Sequence, residues 1–155
     1  MRIERFVAAS VVAFFCSVAA QAAAAPLPAV VAKAVKDTAA ICTEVGGKAD
    51  TTNAIKRADL NGDGIEDYVL DVGSVSCDGA ASVYGDREKG VLVYVGDGKG
   101  GATEAFNDMS YGMTLEGTGT AAKLWLTVSG QQCGKPPAKD FASENFCDRA
   151  IAWNA

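Results

Sequence analysis

The chain has 155 residues, a net charge of −5, 49% apolar residues and no histidine. An acidic chain without a basic stripe is a poor partner for nucleic acid or an anionic membrane. Lacking histidine, it has no histidine-dependent triad and few of the usual zinc-hydrolase ligand sets, so it is not expected to be an enzyme.

Arg2 and Arg5 precede an apolar run from Phe6 to Ala20, and Ala20-Gln21-Ala22 or Ala22-Ala23-Ala24 offers small-residue cleavage sites. This reads as an export signal over residues 1–24. The run is too short and too alanine-rich for a stable membrane span. Ala13-Phe14-Phe15, before Cys16, lacks the small residues of a bacterial lipoprotein site. The expectation is a periplasmic or secreted protein, free of the membrane after cleavage, with residues 25–155 as one α+β domain. Loss of Arg2, Glu4 and Arg5 takes the net charge from −5 to about −6.

Pro26 and Pro28 suit the start of a helix. Val31, Ala34, Val35, Thr38, Ile41, Cys42 and Val45 recur at helical spacing, and Gly46-Gly47 stops the pattern. This helix is expected to pack on the domain's own sheet. From Asn53 the period becomes that of strands, with candidates at Ala54–Arg57 and Tyr68–Val72.

Between those strands lies Asp59-Leu60-Asn61-Gly62-Asp63-Gly64-Ile65-Glu66-Asp67. Counting from Asp59, oxygen-bearing side chains fall at the first, third, fifth and ninth positions, with Gly64 at the sixth. Alternate residues of a tight loop can turn their oxygens to one centre, and a glycine relieves the bend. Asp59, Asn61, Asp63, Asp67 and the Ile65 carbonyl would form a hard oxygen shell suited to Ca²⁺. The same residue types also build metal-free turns. An EF-hand would place glutamate at the twelfth position, where this chain has Leu70.

Further strands are expected at Val91–Val95, buried on both faces, and at Thr103–Asn107, Tyr111–Glu116, Lys123–Val128 and Arg149–Trp153. Asp97-Gly98-Lys99-Gly100-Gly101 reads as a turn only, because Lys99 occupies a would-be ligand position. Trp125 and Trp153 could form an aromatic platform, although packing against the helix or each other is the simpler expectation. The fold class is therefore α+β: one N-terminal helix on a mainly antiparallel sheet of about five to seven strands.

Once Cys16 is removed with the signal, Cys42, Cys77, Cys133 and Cys147 allow three pairings. Proximity and the flanking strands favour Cys133 with Cys147, leaving Cys42 with Cys77. No close Cys-x-x-Cys pair suggests zinc or redox chemistry, so the bridges are expected to be structural.

The segment from Arg57 to Leu70 resembles the calcium loop of FG-GAP/VCBS-type repeats, and Val91–Phe106 resembles the rest of such a blade. That resemblance implies Ca²⁺ on Asp59, Asn61, Asp63, the Ile65 carbonyl and Asp67. The chain departs from the family in having one blade where a propeller needs several. More broadly it is similar to uncharacterised exported proteins of alphaproteobacterial type. The shared features are Cys42 before Gly46-Gly47, the acidic loop, Cys77-Asp78-Gly79-Ala80, Cys133-Gly134 and the Cys147–Trp153 segment. This likeness supports the two-bridge pairing and implies no activity.

Paired carboxylates could act on a glycosidic bond, but Asp59, Asp63 and Asp67 are better explained as ligands. The expected function is an exported, Ca²⁺-binding, disulfide-stabilised binding or structural module with a possible protein partner. The alternative is a periplasmic inhibitor of a basic hydrolase such as lysozyme. An acidic surface would steer such a partner, with the Gly134–Phe146 loop, expected to be exposed, as the inserting element.

Overall fold

The computed structural model describes residues 25–153, and the expected signal segment lies outside the described residues. Pro28 opens the helix with φ −52°, and its carbonyl accepts the Ala32 N–H at 2.9 Å. Helix α1 then spans Ala29–Glu44. Val31, Thr38 and Cys42 are buried along one line, with Ala34 and Val35 half-buried beside them. Ile41 and Val45 instead stand 46% and 58% exposed. Ile41 lies on the flank of the stripe, and Val45 lies past the last turn, where the chain leaves through Gly46 at φ 82°.

Nine strands follow among the described residues: β1 (Lys48–Asp50), β2 (Ile55–Ala58), β3 (Asp67–Asp71), β4 (Ser76–Asp78) and β5 (Lys89–Gly96), then β6 (Ala102–Ser110), β7 (Gly112–Glu116), β8 (Lys123–Val128) and β9 (Cys147–Ala150). All pairings are antiparallel, in sheets ordered β2-β3-β5-β6, β7-β8-β9 and β1-β4. The α+β class is as expected, as is one α-helix at the N-terminal end of the described residues. The short strands β1 and β4 are additional, and the strands divide among three sheets. One division falls at Ser110, a buried hydroxyl 2.6 Å from Gly112 O and 2.8 Å from Thr127 O. Its one proton is shared between these carbonyls at the corner where β6 passes into β7, and Thr127 O also accepts from Tyr111 N at 3.0 Å.

The central four-stranded sheet carries apolar side chains on both faces. Tyr68, Leu70 and Tyr94 point toward α1 and pack with Val31, Cys42 and Tyr84. Val69, Val91 and Val93 point the other way, against Leu124, Leu126 and Val128 of β8. Strand alternation produces this division. Cross-strand pairing keeps like with like, Tyr68 opposite Tyr94 and Val69 opposite Val93. Burying each such side chain stabilises by about 1.5–3 kcal/mol. β5 is thus an inner strand buried on both faces, as its apolar run implies.

Both disulfides form, Cys42–Cys77 and Cys133–Cys147. The first ties the end of α1 to β4 and leaves no room at Gly47. A Cβ there would lie 2.5 Å from Cys77 Sγ and 2.8 Å from Cys42 Sγ. The second closes the neck of the Gly134–Phe146 loop. Gly134 to Pro137 are exposed, whereas Phe146 is half-buried against Tyr111 with ring centroids 4.6 Å apart. Glu144 fastens the loop inward by accepting the Gly130 N–H at 2.9 Å. No helix among the described residues is long and apolar enough to cross a membrane.

Candidate functional site

The acidic loop joins β2 to β3, two strands paired from Ile55–Leu70 to Ala58–Asp67. Hairpin closure therefore brings the first and ninth loop positions together. Gly62 and Gly64 both adopt φ 81°, the left-handed region open to glycine without steric cost. These two bends let successive N–H groups turn inward. Asp59 Oδ1 accepts from Gly62 N at 2.7 Å, and its Oδ2 from Gly64 N at 2.9 Å. Asn61 Oδ1 accepts from Asp63 N at 3.0 Å, and Asp63 Oδ1 from Ile65 N at 2.7 Å. Asp63 Oδ2 also accepts from Asn61 Nδ2 at 3.0 Å.

Asp67 behaves differently from the other loop carboxylates. Its side chain is fully buried, with Oδ2 accepting from Leu60 N at 2.8 Å and Oδ1 from Gly96 N at 3.0 Å. It pins the start of the loop and the end of β5 to the same point. Burial pushes its carboxyl above the usual aspartate value, and the nearby Asp63 charge adds to this; the backbone hydrogen bonds act in the opposite direction. Gly96 is the member of the site that loop spacing does not reveal. A Cβ on it would lie 2.3 Å from Glu66 O, so only glycine lets β5 approach this closely.

The structure thus gathers Asp59, Asn61 and Asp63 around the bends. Ile65 is half-buried beside Gly98, and Asp67 is turned into the protein. Asp59 is only 8% exposed. Among the described residues, Asp59, Asp63 and Asp67 have no ion-pair partner, because Arg57 is taken by Glu66 at 2.8 Å. No three His, Cys, Asp or Glu side chains among the described residues are gathered as a metal-holding group. The loop closes instead on its own N–H donors, each oxygen keeping lone-pair capacity.

The neighbouring Asp97–Gly101 segment is a turn, with Asp97 Oδ1 accepting from Lys99 N and Gly101 N. The tryptophans lie elsewhere than under the helix. The cluster below α1 contains neither, and Trp153 packs on the opposite cluster. Both line a cleft beside Asn61 and Gly62. No family model, curated protein or solved structure matches the chain.

Proposed function

We propose that the protein is an exported, Ca²⁺-binding, disulfide-stabilised binding module whose acidic hairpin is an FG-GAP/VCBS-like calcium loop, working in the periplasm or outside the cell. One observation carries this reading: two nearly buried carboxylates, Asp59 and Asp67, share a loop with Asp63 and lack an ion-pair partner among the described residues. Buried charge is ordinarily paired or metal-bound, and a divalent cation would relieve the mutual repulsion. The candidate donors are Asp59, Asn61, Asp63, the Ile65 carbonyl and Asp67. All are oxygens, the chemistry that suits Ca²⁺. Two disulfides among the described residues suit an oxidising compartment.

A bound ion stabilises by mass action. Melting scans in Ca²⁺ and in chelator, with calorimetry, test the reading. The parent should melt higher in Ca²⁺, and Asp63→Ala should lose the difference. Identical melting in both buffers, with no heat of binding, overturns the ion.

The cross-linked Gly134–Phe146 loop supports a second reading, an inhibitor of a basic hydrolase. The loop is fixed by the Asp140–Ser143 capping box and by Arg87 stacked over Phe141 at 3.9 Å, while Lys135 to Pro137 stay exposed. A lysozyme lysis assay tests it, and unchanged lysis rates dismiss it.

A further inference from the structure

Beside the acidic loop, at the end of the β7-β8-β9 sheet, opens a cleft of about 310 Å³. This is at the lower end of the range for small-molecule sites, ~300–1,000 Å³. It is lined by the half-buried Trp125 and Trp153, the buried Leu60, and the exposed Asn61, Thr120 and Lys123.

Several features set it apart from ordinary core filling. Along β8 the side chains of Leu124 and Leu126 are buried, while Trp125 between them takes the other face and is only half-buried. Its Nε1 donates to Glu116 Oε2 at 2.8 Å, which fixes the indole by its edge. The residues paired with it across the sheet are Thr114 and Ala150, both exposed and too small to cover the ring. Trp153 is likewise half-buried. Neither indole belongs to an aromatic pair among the described residues, and both line the same cleft.

Two indoles with an exposed amide, hydroxyl and ammonium in the same lining suit a ligand that is apolar on its flat face and rich in hydroxyls at its edge. We propose that this cleft binds a neutral pyranose sugar. The C–H face of the ring stacks on an indole, and its hydroxyls meet Asn61, Thr120 and Lys123. The charges nearby favour a neutral ligand. Asp59, Asp63 and Asp67 in the adjoining loop disfavour an acidic sugar, and the Glu116 carboxylate is engaged by Trp125. The proposal rests on the reading of the chain as a binding module, and not on the ion. Asn61 and Gly62 belong to both loop and cleft, so an ion that stiffens the loop would sharpen the sugar's contacts without being needed for them.

Cellobiose, maltotriose and chitotriose are the probes, followed by tryptophan fluorescence and saturation-transfer NMR on the full chain in Ca²⁺ and in EDTA. At least one should saturate with a Kd of roughly 0.1–5 mM, as expected for a shallow open site. Trp153→Ala should weaken binding by about tenfold or more, the loss of one good stacking contact. Ala150→Phe, at an exposed strand position that would fill the cleft, should abolish binding with the melting temperature kept. No saturable signal from any of the three sugars in either buffer overturns the proposal. So does an unchanged Kd in Ala150→Phe, or binding of a proline-rich peptide in place of the sugars. Sugar binding in EDTA without a Ca²⁺ melting shift upholds the cleft and removes the ion. A Ca²⁺ shift without sugar binding removes the cleft alone.

Discussion

Replacing Asp67 by alanine separates the scaffold of the acidic hairpin from any ion it holds. The side chain is fully buried, and its oxygens accept from Leu60 N at 2.8 Å and Gly96 N at 3.0 Å. Alanine leaves both donors without a partner. A hydrogen bond to a charged group contributes ~1.5–3 kcal/mol, so the pair comes to roughly 3–6 kcal/mol. Part of this loss is offset, because the variant no longer holds a charge where burial and Asp63 raise its carboxyl. The expected net loss is about 2–4 kcal/mol, or ~10 °C in Tm for a domain of this size. Asp67→Asn retains one acceptor but presents an NH₂ to the other donor, so it should also destabilise. Thermal and urea unfolding in EDTA and in Ca²⁺ provide the assay. If Asp67→Ala melts like the parent in EDTA and differs only when Ca²⁺ is present, the two backbone hydrogen bonds are not what holds the hairpin, and the reasoning fails.

Gly47→Ala drives a methyl against both sulfurs of Cys42–Cys77, with the nearest contact at 2.5 Å. It should cost ~1–3 kcal/mol in urea unfolding, or appear as free thiol in a thiol titration. Replacing each cysteine pair by serine should cost ~4 kcal/mol for Cys42–Cys77 and ~3 kcal/mol for Cys133–Cys147, following their sequence separations of 35 and 14. A reversed order in chemical unfolding would contradict the loop-entropy account. The Tyr94 phenol is pushed up to about 12, first by burial and then by Glu104, which its hydroxyl meets at 3.3 Å. The folded state therefore holds this proton after the unfolded chain has released it. The resulting stability is full below pH 10 and falls away between pH 10 and about 12. Tyr94→Phe should flatten that alkaline decline in a stability-against-pH series.

Periodicity makes the longer elements legible. Lys123–Val128 alternates along its whole length, and the strand has those bounds. α1 is readable for the same reason, but Ile41 and Val45 share the stripe's spacing and still stand exposed, Ile41 on its flank and Val45 past the last turn. β1 and β4 have three residues each and one covered side chain apiece, Ala49 and Cys77, which leaves no period to read. Their pairing accompanies the Cys42–Cys77 bridge. In the acidic hairpin, the glycine bends follow from the spacing of Gly62 and Gly64. The inward turn of Asp67 does not, because its second donor, Gly96 N, lies 29 residues away. The two tryptophans are legible as either an aromatic platform or packing, and the sequence alone does not choose between them. Strand register, which sets the small Ala150 opposite Trp125, is what leaves that ring half-covered.

The placement of sulfur has a mechanical consequence. Cys42–Cys77 belongs to the helical layer and Cys133–Cys147 to the three-stranded one, while β2, β3, β5 and β6 contain no cysteine at all. Among the described residues, neither disulfide crosses the four-stranded sheet. A reductant would therefore loosen the two outer coverings, each with its own bridge, leaving an inner slab held by water exclusion, backbone pairing and the side-chain hydrogen bonds of Asp67. Hydrogen exchange after partial reduction should resolve that sequence as two separate losses of protection, with the slab the last to open.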